Sequence, residues 1–482
     1  MATTALLSTK ASLQGAQIST RLHNRHITCI HDIPPEILAE IFLSVEYYES
    51  PQNTHSQTRR NGSCSTVLAS VCKTWRAFAL RLPWLWSRIL IKTTGVHVSR
   101  RRSKYVRLLN ERSLGVTVDL AIWVQWDKGR GLSLTNTHEA GLRQLVSTLA
   151  PLAPRTRRFE LVSHVYSGPD LRPILASFIK LCTSSSLEVF TVHAVHRALE
   201  NAQLFDWRHL QLTDPPTDYQ INSFIQPVRV LDLQDVRISW DSSFYCGLTE
   251  LSVHFSSADR HVTQDQLVQI LLVCPTLEAL SFKNVYARDS SEPPNIYETI
   301  YLKQLKRLEF IGMRSVSLTP LLQVISANSQ SLTVRLSLGK KSESVQQLRT
   351  FFERHSAITV LHVQSRVDTA WFAPLSSSLH RLSKLTLEGV DFADTDLATF
   401  IRTNHFNNGS VPWPWLYELH LIGCIVDLEL LECLATSPFL KKLRLSRSGV
   451  REPGSGRCVP ATLSMFEPVY GSPHVKIAVH DE

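Results

Sequence analysis

Nineteen histidines and nine cysteines are the side chains of this chain that could serve as general bases, nucleophiles or metal ligands. The sequence nevertheless lacks the H-E-x-x-H, G-x-S-x-G and glycine-rich phosphate-binding motifs that arrange such groups for catalysis. His138-Glu139 has no second histidine at the spacing of a zinc-binding helix. Asp394 and Asp396 precede a predicted helix, where a capping role explains them. We therefore expect no catalytic residues, no metal site and no cofactor.

The nine cysteines form no C-x-x-C pair and have no regular spacing. This pattern favours reduced, mostly buried thiols in the cytoplasm or nucleus over a disulfide framework or a zinc site. No stretch approaches the ~18 uninterrupted apolar residues of a membrane span. Residues 1–30 contain no acidic residue, and we interpret them as a disordered leader in preference to a mitochondrial presequence.

The formal net charge of +9 is concentrated near the N-terminus, where residues 1–110 carry 15 Lys/Arg against five Asp/Glu. Such a basic segment can bind nucleic acid. It can equally accelerate the encounter with an acidic protein, because complementary potentials raise association rates. We favour an acidic protein over nucleic acid as the partner of this basic segment.

Two apolar helical faces lie within this basic region. Pro34 and Pro35 suit the first turn of a helix, where a missing N–H costs nothing. The residues behind them recur at helical spacing and are Ile37, Leu38, Ile41, Phe42 and Val45. A second face, on one or two helices that end before Pro83, comprises Val67, Val71, Trp75 and Phe78. Some fifty residues make a small core, so these faces predict a partner.

The same segments resemble the F-box. Ile33-Pro34-x-Glu36-Ile37-Leu38 is similar to the opening motif of that family, and Val71-Cys72-Lys73-Thr74-Trp75 to its closing motif. Pro83-Trp84-Leu85-Trp86 resembles a tail common in fungal F-box proteins. The family usually has a short link where this chain has a polar insertion, residues 46–63, which we predict to be a surface loop.

The F-box resemblance implies a partner and a set of contact residues. The partner is a Skp-type adaptor and, through it, a cullin. The residues that the resemblance divides between the adaptor surface and a small internal core are Ile33, Pro34, Ile37, Leu38, Ile41, Phe42, Val71, Cys72 and Trp75.

Beyond residue 180 the pattern L-x-x-L-x-L recurs nine times, with conservative replacements, and residues 332–338 contain an off-register copy. Because alternate side chains of a strand point to opposite faces, the paired leucines face inward. Helical patterns separate the copies, so strand and helix alternate as in a parallel-stranded solenoid. The pattern is similar to leucine-rich-repeat F-box proteins. Their recurrent Asn or Cys is matched only by Cys424, so we expect an irregular arc.

The predicted fold class is therefore α/β, with a small helical F-box followed by an irregular leucine-rich-repeat solenoid that has parallel strands inside and helices outside. The predicted segments are a leader (1–30), the F-box-like domain (31–90), a connecting section with degenerate repeats (91–180), the solenoid (181–450) and a tail (451–482).

The outward residues between the paired leucines form the predicted target-binding face. They carry mixed charges and favour a protein over a small molecule, because a curved sheet offers area and no closed pocket. These residues are Asp232, Ser252, Ser281, Glu309, His362, Thr386, His420 and Arg444.

Together these features predict a non-catalytic protein, the substrate-recognition subunit of an SCF-type E3 ubiquitin ligase. It would bind the adaptor through the F-box and an unidentified protein target through the repeats, without membrane contact. Two alternatives stay open: an F-box and leucine-rich-repeat scaffold outside the ligase, and a nuclear protein that binds nucleic acid through residues 1–110.

Overall fold

The computed structural model describes residues 33–48, 64–94, 98–125, 136–165, 172–182, 186–196, 203–205, 216–240, 243–288, 298–338, 345–365, 378–392, 415–435, 440–451, 458–461 and 475–480. The chain divides into two compact units, the first comprising Met1–Ile89 with Arg100–Asp119 and the second Leu90–Ser99 with Leu120–Glu482. No described helix is long and apolar enough to cross a membrane.

The first unit is helical. Its helices are α1 (Pro35–Tyr48), α2 (Cys64–Val71), α3 (Lys73–Ala79) and α4 (Arg100–Arg112), and a 3-10 turn spans Pro83–Trp86. Helix α1 begins at the predicted place, with the Leu38 N–H donating to the Pro34 carbonyl at 3.0 Å. It continues to Tyr48, so the start of the predicted insertion loop is helical. Residues 49–63 and the predicted leader lie outside the described part.

Aromatic side chains form the core of the first unit. Phe42 is fully buried and meets Trp75 and Phe78 edge-on, with ring centroids 5.0 and 5.8 Å away. Trp86 is also buried; its indole N–H donates to the Ala79 carbonyl at 2.8 Å. The 3-10 turn Pro83–Trp86 therefore contributes to the core through Trp86.

The second unit is built on a long sheet. Its 14 described strands follow one another in chain order, and every pairing from β3 onward is parallel. These strands are β1 (Arg88–Thr94), β2 (Val118–Gln125), β3 (Thr156–Val165), β4 (Val189–His196), β6 (Val230–Gln234), β8 (Glu250–Thr263), β9 (Ala279–Arg288), β11 (Arg307–Ile311), β13 (Leu332–Leu338), β14 (Ile358–Ser365), β15 (Lys384–Glu388), β16 (Glu418–Ile422), β18 (Lys442–Ser446) and β21 (Lys476–His480).

Shorter strands and helices form the return segments of the repeats. The helices α5 to α7 contact one another in succession, as do α8 to α10. The helices are α5 (Asn136–Leu149), α6 (Arg172–Leu181), α7 (Asp218–Ile225), α8 (Gln264–Leu272), α9 (Ser315–Val324), α10 (Val345–Arg354) and α11 (Leu428–Ala435). The short strands are β5 (Gln203–Phe205), β7 (Val236–Ile238), β10 (Ile300–Tyr301), β12 (Ile325–Ser326), β17 (Ile425–Asp427), β19 (Gly449–Arg451) and β20 (Cys458–Pro460).

This architecture confirms the predicted α/β solenoid of parallel strands and return helices. Along β6, β11, β16 and β18, buried and more exposed residues alternate, and the repeat leucines occupy the buried side. Strand β2 begins at Val118, after a turn formed by Ser113 to Gly115, and the last strand, β21, ends at His480.

Six repeats have a left-handed residue directly after the first five residues of the strand or at its end; in β9 this residue, Asn284, lies within the strand. The φ of the six residues lies between +50° and +72°, a range that L-residues enter at a cost and glycine enters freely. The six are Asp235, Asn284, Gly312, Gly389, Gly423 and Arg447. The next residue in each case is buried, and these residues are Val236, Val285, Met313, Val390, Cys424 and Ser448. They occupy the position where the resembled family has Asn or Cys, so here this position supplies mainly apolar core.

Candidate protein-interaction surfaces

Helices α1 and α2 pack together and each exposes apolar side chains four residues apart. We call this set the helical apolar face: Ile37, Ile41 and Val45 on α1, and Val67 and Val71 on α2. Their exposed fractions range from 38% at Val45 to 58% at Val67 and Val71. A spacing of four residues keeps side chains on one side of a helix. Clustered exposed apolar residues are typical of a protein-binding surface.

The structure divides the predicted adaptor-binding residues between surface and interior. Ile37, Ile41 and Val71 are exposed, whereas Leu38 is 6% exposed and Phe42 is fully buried. Pro34 is also exposed, and Ile33, Cys72 and Trp75 are partly buried. The prediction omitted Val67 and Val45, although each lies four residues from a member of the predicted set.

Cys72 has a structural role at the start of α3. Its Sγ accepts a hydrogen bond from the Trp75 N–H at 3.4 Å, which caps the helix. The Trp75 indole packs on Phe42, and its buried Nε1 has no hydrogen-bond partner in the described part of the chain. These contacts order the helices that carry the helical apolar face.

The basic run at residues 100–104 forms the first turns of α4. Arg100, Arg101 and Lys104 are exposed, while Val106 and Leu109 supply the buried side. Leu108, on the same helix, is 37% exposed. The run is therefore largely the solvated side of an amphipathic helix.

The second surface is the face of the sheet opposite its buried leucines. Strand pairing aligns one outward residue of each repeat, and we call this set the central strand row: Asp232, Ser252, Ser281, Glu309, Arg335, His362, Thr386, His420 and Arg444. All eight residues predicted for the target-binding face lie in it. Thr386 is only 6% exposed. Arg335 was missed because its repeat is off-register in sequence.

The N-terminal part of this face contains a coupled acid and base. His193 Nε2 lies 2.9 Å from Asp232 Oδ2. Burial alone would lower the pKa of His193, but the hydrogen bond and charge of Asp232 outweigh it and raise that pKa. The pKa of Asp232 is lowered by His193 against the opposing effect of burial. Burial raises the pKa of nearby Glu160.

This cluster does not form a nucleophilic triad. Asp232 hydrogen-bonds to both His193 and Ser252, so the carboxylate occupies the middle position. A Ser-His-Asp triad instead needs the imidazole between serine and carboxylate, because the imidazole accepts the hydroxyl proton. The described residues contain no group of three or more potential metal ligands. The contact between His193 and Asp232 stabilises the charged form of each side chain on this face of the sheet.

The C-terminal part of the face is dominated by cations around one carboxylate. Glu418 is 13% exposed at its side chain, and its oxygens lie 3.3 Å from Lys384 Nζ, 3.3 Å from Arg444 Nε and 4.0 Å from Lys442 Nζ. Burial and then the charge of Arg444 lower the pKa of His420, whose Nε2 lies 2.9 Å from Ser446 Oγ.

Five of the cysteines whose side chains are described are free thiols, namely Cys72, Cys246, Cys274, Cys424 and Cys458. Cys182, Cys274 and Cys424 are buried, Cys72 is partly buried, and Cys246 and Cys458 are exposed. Burial raises the pKa of both Cys274 and Cys424 to about 11, which suppresses thiolate formation. The buried thiols therefore act as core packing groups.

Comparison with known proteins adds one similarity in structure. No protein-family model and no curated protein matches the chain. Among solved structures the chain is similar to an internalin (inlF) from Listeria monocytogenes str. 4b F2365, with 13% identity and a TM-score of 0.38 over 80% of this chain and 97% of that chain. A similarity this weak assigns neither a family nor a role to the chain.

Proposed function

We propose that this chain is a non-catalytic receptor subunit of an SCF-type ubiquitin ligase. In this proposal the helical apolar face binds a Skp-type adaptor, which brings a cullin, and the central strand row binds a protein target. The free thiols of the described cysteines agree with a proposed location in the cytoplasm or nucleus.

The observation that carries the proposal is the exposure of Ile37, Ile41 and Val71 on an otherwise closed core. Trp75 and Phe78 pack against Phe42, and these rings fill the interior of the helical unit. The exposed side chains are therefore not required to complete that core, and Ile37 and Val71 are more than half exposed. Their coincidence with the two halves of the F-box motif favours the adaptor over an unrelated partner.

The test is capture of a Skp-type adaptor by the full chain carrying Ile37→Asp and Val71→Asp. Full burial of a large aliphatic side chain is worth roughly 1.5–3 kcal/mol. About half of Ile37 and of Val71 remains to be buried, so together they contribute roughly 1.5–3 kcal/mol and the double variant should bind at least about tenfold more weakly. Leu38→Asp is unsuitable because Leu38 lies in the core. The matched control is Leu43→Asp, on the same helix with 39% exposure but outside the helical apolar face. Equal adaptor capture by wild type and a folded double variant would contradict the proposal.

A second candidate is an F-box protein that works outside the ligase. The length of the segment between α1 and α2 favours it, because the resembled family usually has a short link there and we propose that the longer one weakens cullin assembly. Purification of the adaptor complex separates the two candidates: a cullin in the complex supports the ligase subunit, and its reproducible absence supports the scaffold.

A further inference from the structure

The last four strands of the sheet present an unusual set of outward side chains. Strand register places Lys384, Glu418, Lys442 and Lys476 side by side, with His420 and Arg444 in the adjacent row. We call Lys384, Lys442, Arg444 and Lys476 the basic strand patch.

Neighbouring strands lie about 4.8 Å apart, so the basic strand patch concentrates positive charge at a cost in repulsion. Glu418 offsets much of this cost by pairing with Lys384, Arg444 and Lys442. One carboxylate cannot neutralise three cations, and Lys476 adds a further exposed charge. With Glu388 included, the outward positions of these strands still hold more cations than carboxylates.

The opposite end of the sheet has the other sign. Among the residues whose side chains are described, the outward positions of β3, β4, β6 and β8 include Glu160, Asp232 and Glu250 and one arginine, Arg158, and Arg307 of β11 pairs with Glu250 at 3.3 Å. The C-terminal strands therefore attract an anionic ligand more strongly than the N-terminal strands do. The sign of the charge differs between the two ends of the sheet, and this difference favours binding of an anionic ligand at the C-terminal end.

Two exposed aromatic residues stand at the edge of the sheet where β16 begins. Trp415 and Tyr417, immediately before β16 in the chain, have exposed fractions of 68% and 58%. The Tyr417 backbone is held in the ladder, donating to the Ser383 carbonyl at 2.8 Å and accepting from the Lys441 N–H at 3.0 Å. Trp and Tyr are typical anchors of protein interfaces, and here they stand on an ordered backbone.

We infer that strands β15 to β21 dock an acidic segment of a partner protein. Carboxylates of that segment pair with the basic strand patch while an apolar side chain packs on Trp415 and Tyr417. Four strands cover about 15 Å, the length of roughly five extended residues. Glu388 and Glu418 disfavour nucleic acid, whose every phosphate is charged, whereas a peptide can place uncharged residues opposite them. The inference deepens the proposed function by naming the chemistry of the target.

The test measures binding of a labelled peptide of about six residues, glutamates around one leucine, to the full chain at low salt. Lys384→Glu and Arg444→Glu should each weaken binding about tenfold or more, and added salt should weaken wild-type binding. Glu418→Gln should strengthen binding severalfold because it removes the competing carboxylate. Arg158→Glu, at the far end of the same face, is the matched control and should change affinity little. Lys384→Gln provides a milder variant if charge reversal perturbs folding.

Three outcomes would overturn the inference. They are equal binding of a lysine peptide of the same length, insensitivity to both Lys384 and Arg444 substitutions, and tighter binding of a single-stranded oligonucleotide that these substitutions abolish. The variant with Ile37→Asp and Val71→Asp should bind the acidic peptide as wild type does. Peptide binding and adaptor capture can thus fail independently.

Discussion

His355 is a buried histidine whose surroundings admit only the neutral form. It is 1% exposed, and its Nε2 accepts a hydrogen bond from the Ala327 N–H at 2.9 Å. The proton therefore resides on Nδ1, which donates to the Phe351 carbonyl at 2.7 Å. A second proton on Nε2 would point at the Ala327 N–H and break that contact.

The size of the effect follows from the pKa of His355. Burial lowers that pKa from 6.5 to about 4; the Phe351 carbonyl opposes the change and the charge of Arg354 adds to it. At about 1.4 kcal/mol per pKa unit, the difference corresponds to about 3 kcal/mol. The unfolded chain binds a proton below pH ~6.5 that the folded chain does not, so stability is lost as pH falls from ~6.5 to ~4.

Denaturant unfolding of wild type and His355→Gln across this pH range isolates the contribution. The variant lacks the titrating group, so we expect it to be less stable at neutral pH and to approach or exceed wild-type stability in acid. The difference in unfolding free energy should change by about 3 kcal/mol between pH ~7 and pH ~4. His380→Gln, at an exposed histidine, is the matched control. Parallel curves for wild type and His355→Gln would refute the reasoning.

Two further predictions concern the repeats. Gly423→Ala should lower the free energy of unfolding by about 1–2 kcal/mol, because φ is +57° and a Cβ would meet nothing within 4 Å, leaving only backbone strain; an unchanged denaturation midpoint would contradict this. Cys424 should resist iodoacetamide in the folded protein while Cys246 and Cys458 react, because burial raises the pKa of Cys424 to about 11 and the other two thiols are exposed. Mass spectrometry of labelled peptides checks this order, and early labelling of Cys424 would show that the repeat opens.

The alternation of side chains explains why the sheet surface was predictable. A period of two assigns each strand residue to one face, and parallel pairing then aligns equivalent residues of successive repeats. Asp232 and Arg444 were therefore placed in one row from sequence. Arg335 was not, because the repeat around Leu332 has lost the L-x-x-L-x-L spacing while its strand keeps the register.

The residue types at the left-handed positions are a sequence signal for these turns. The residue with positive φ is Gly, Asn or Asp in five of the six repeats, and these residue types tolerate this conformation. Arg447 is the exception and would not have been found by type. The residue that follows, where the resembled family has Asn or Cys, packs in the core.

The sequence by itself determined the order of helices and strands, the inward direction of the leucines and the apolar character of α1 and α2, because these depend on local periodicity. Only the tertiary structure decided that Leu38 is buried while Ile37 is exposed, since both fit one helical pattern and the packing around Phe42 selects between them. It also decided that Glu418 gathers Lys384 and Arg444 from neighbouring strands. Such pairing depends on register across 34 and 26 positions of chain, which no local pattern encodes.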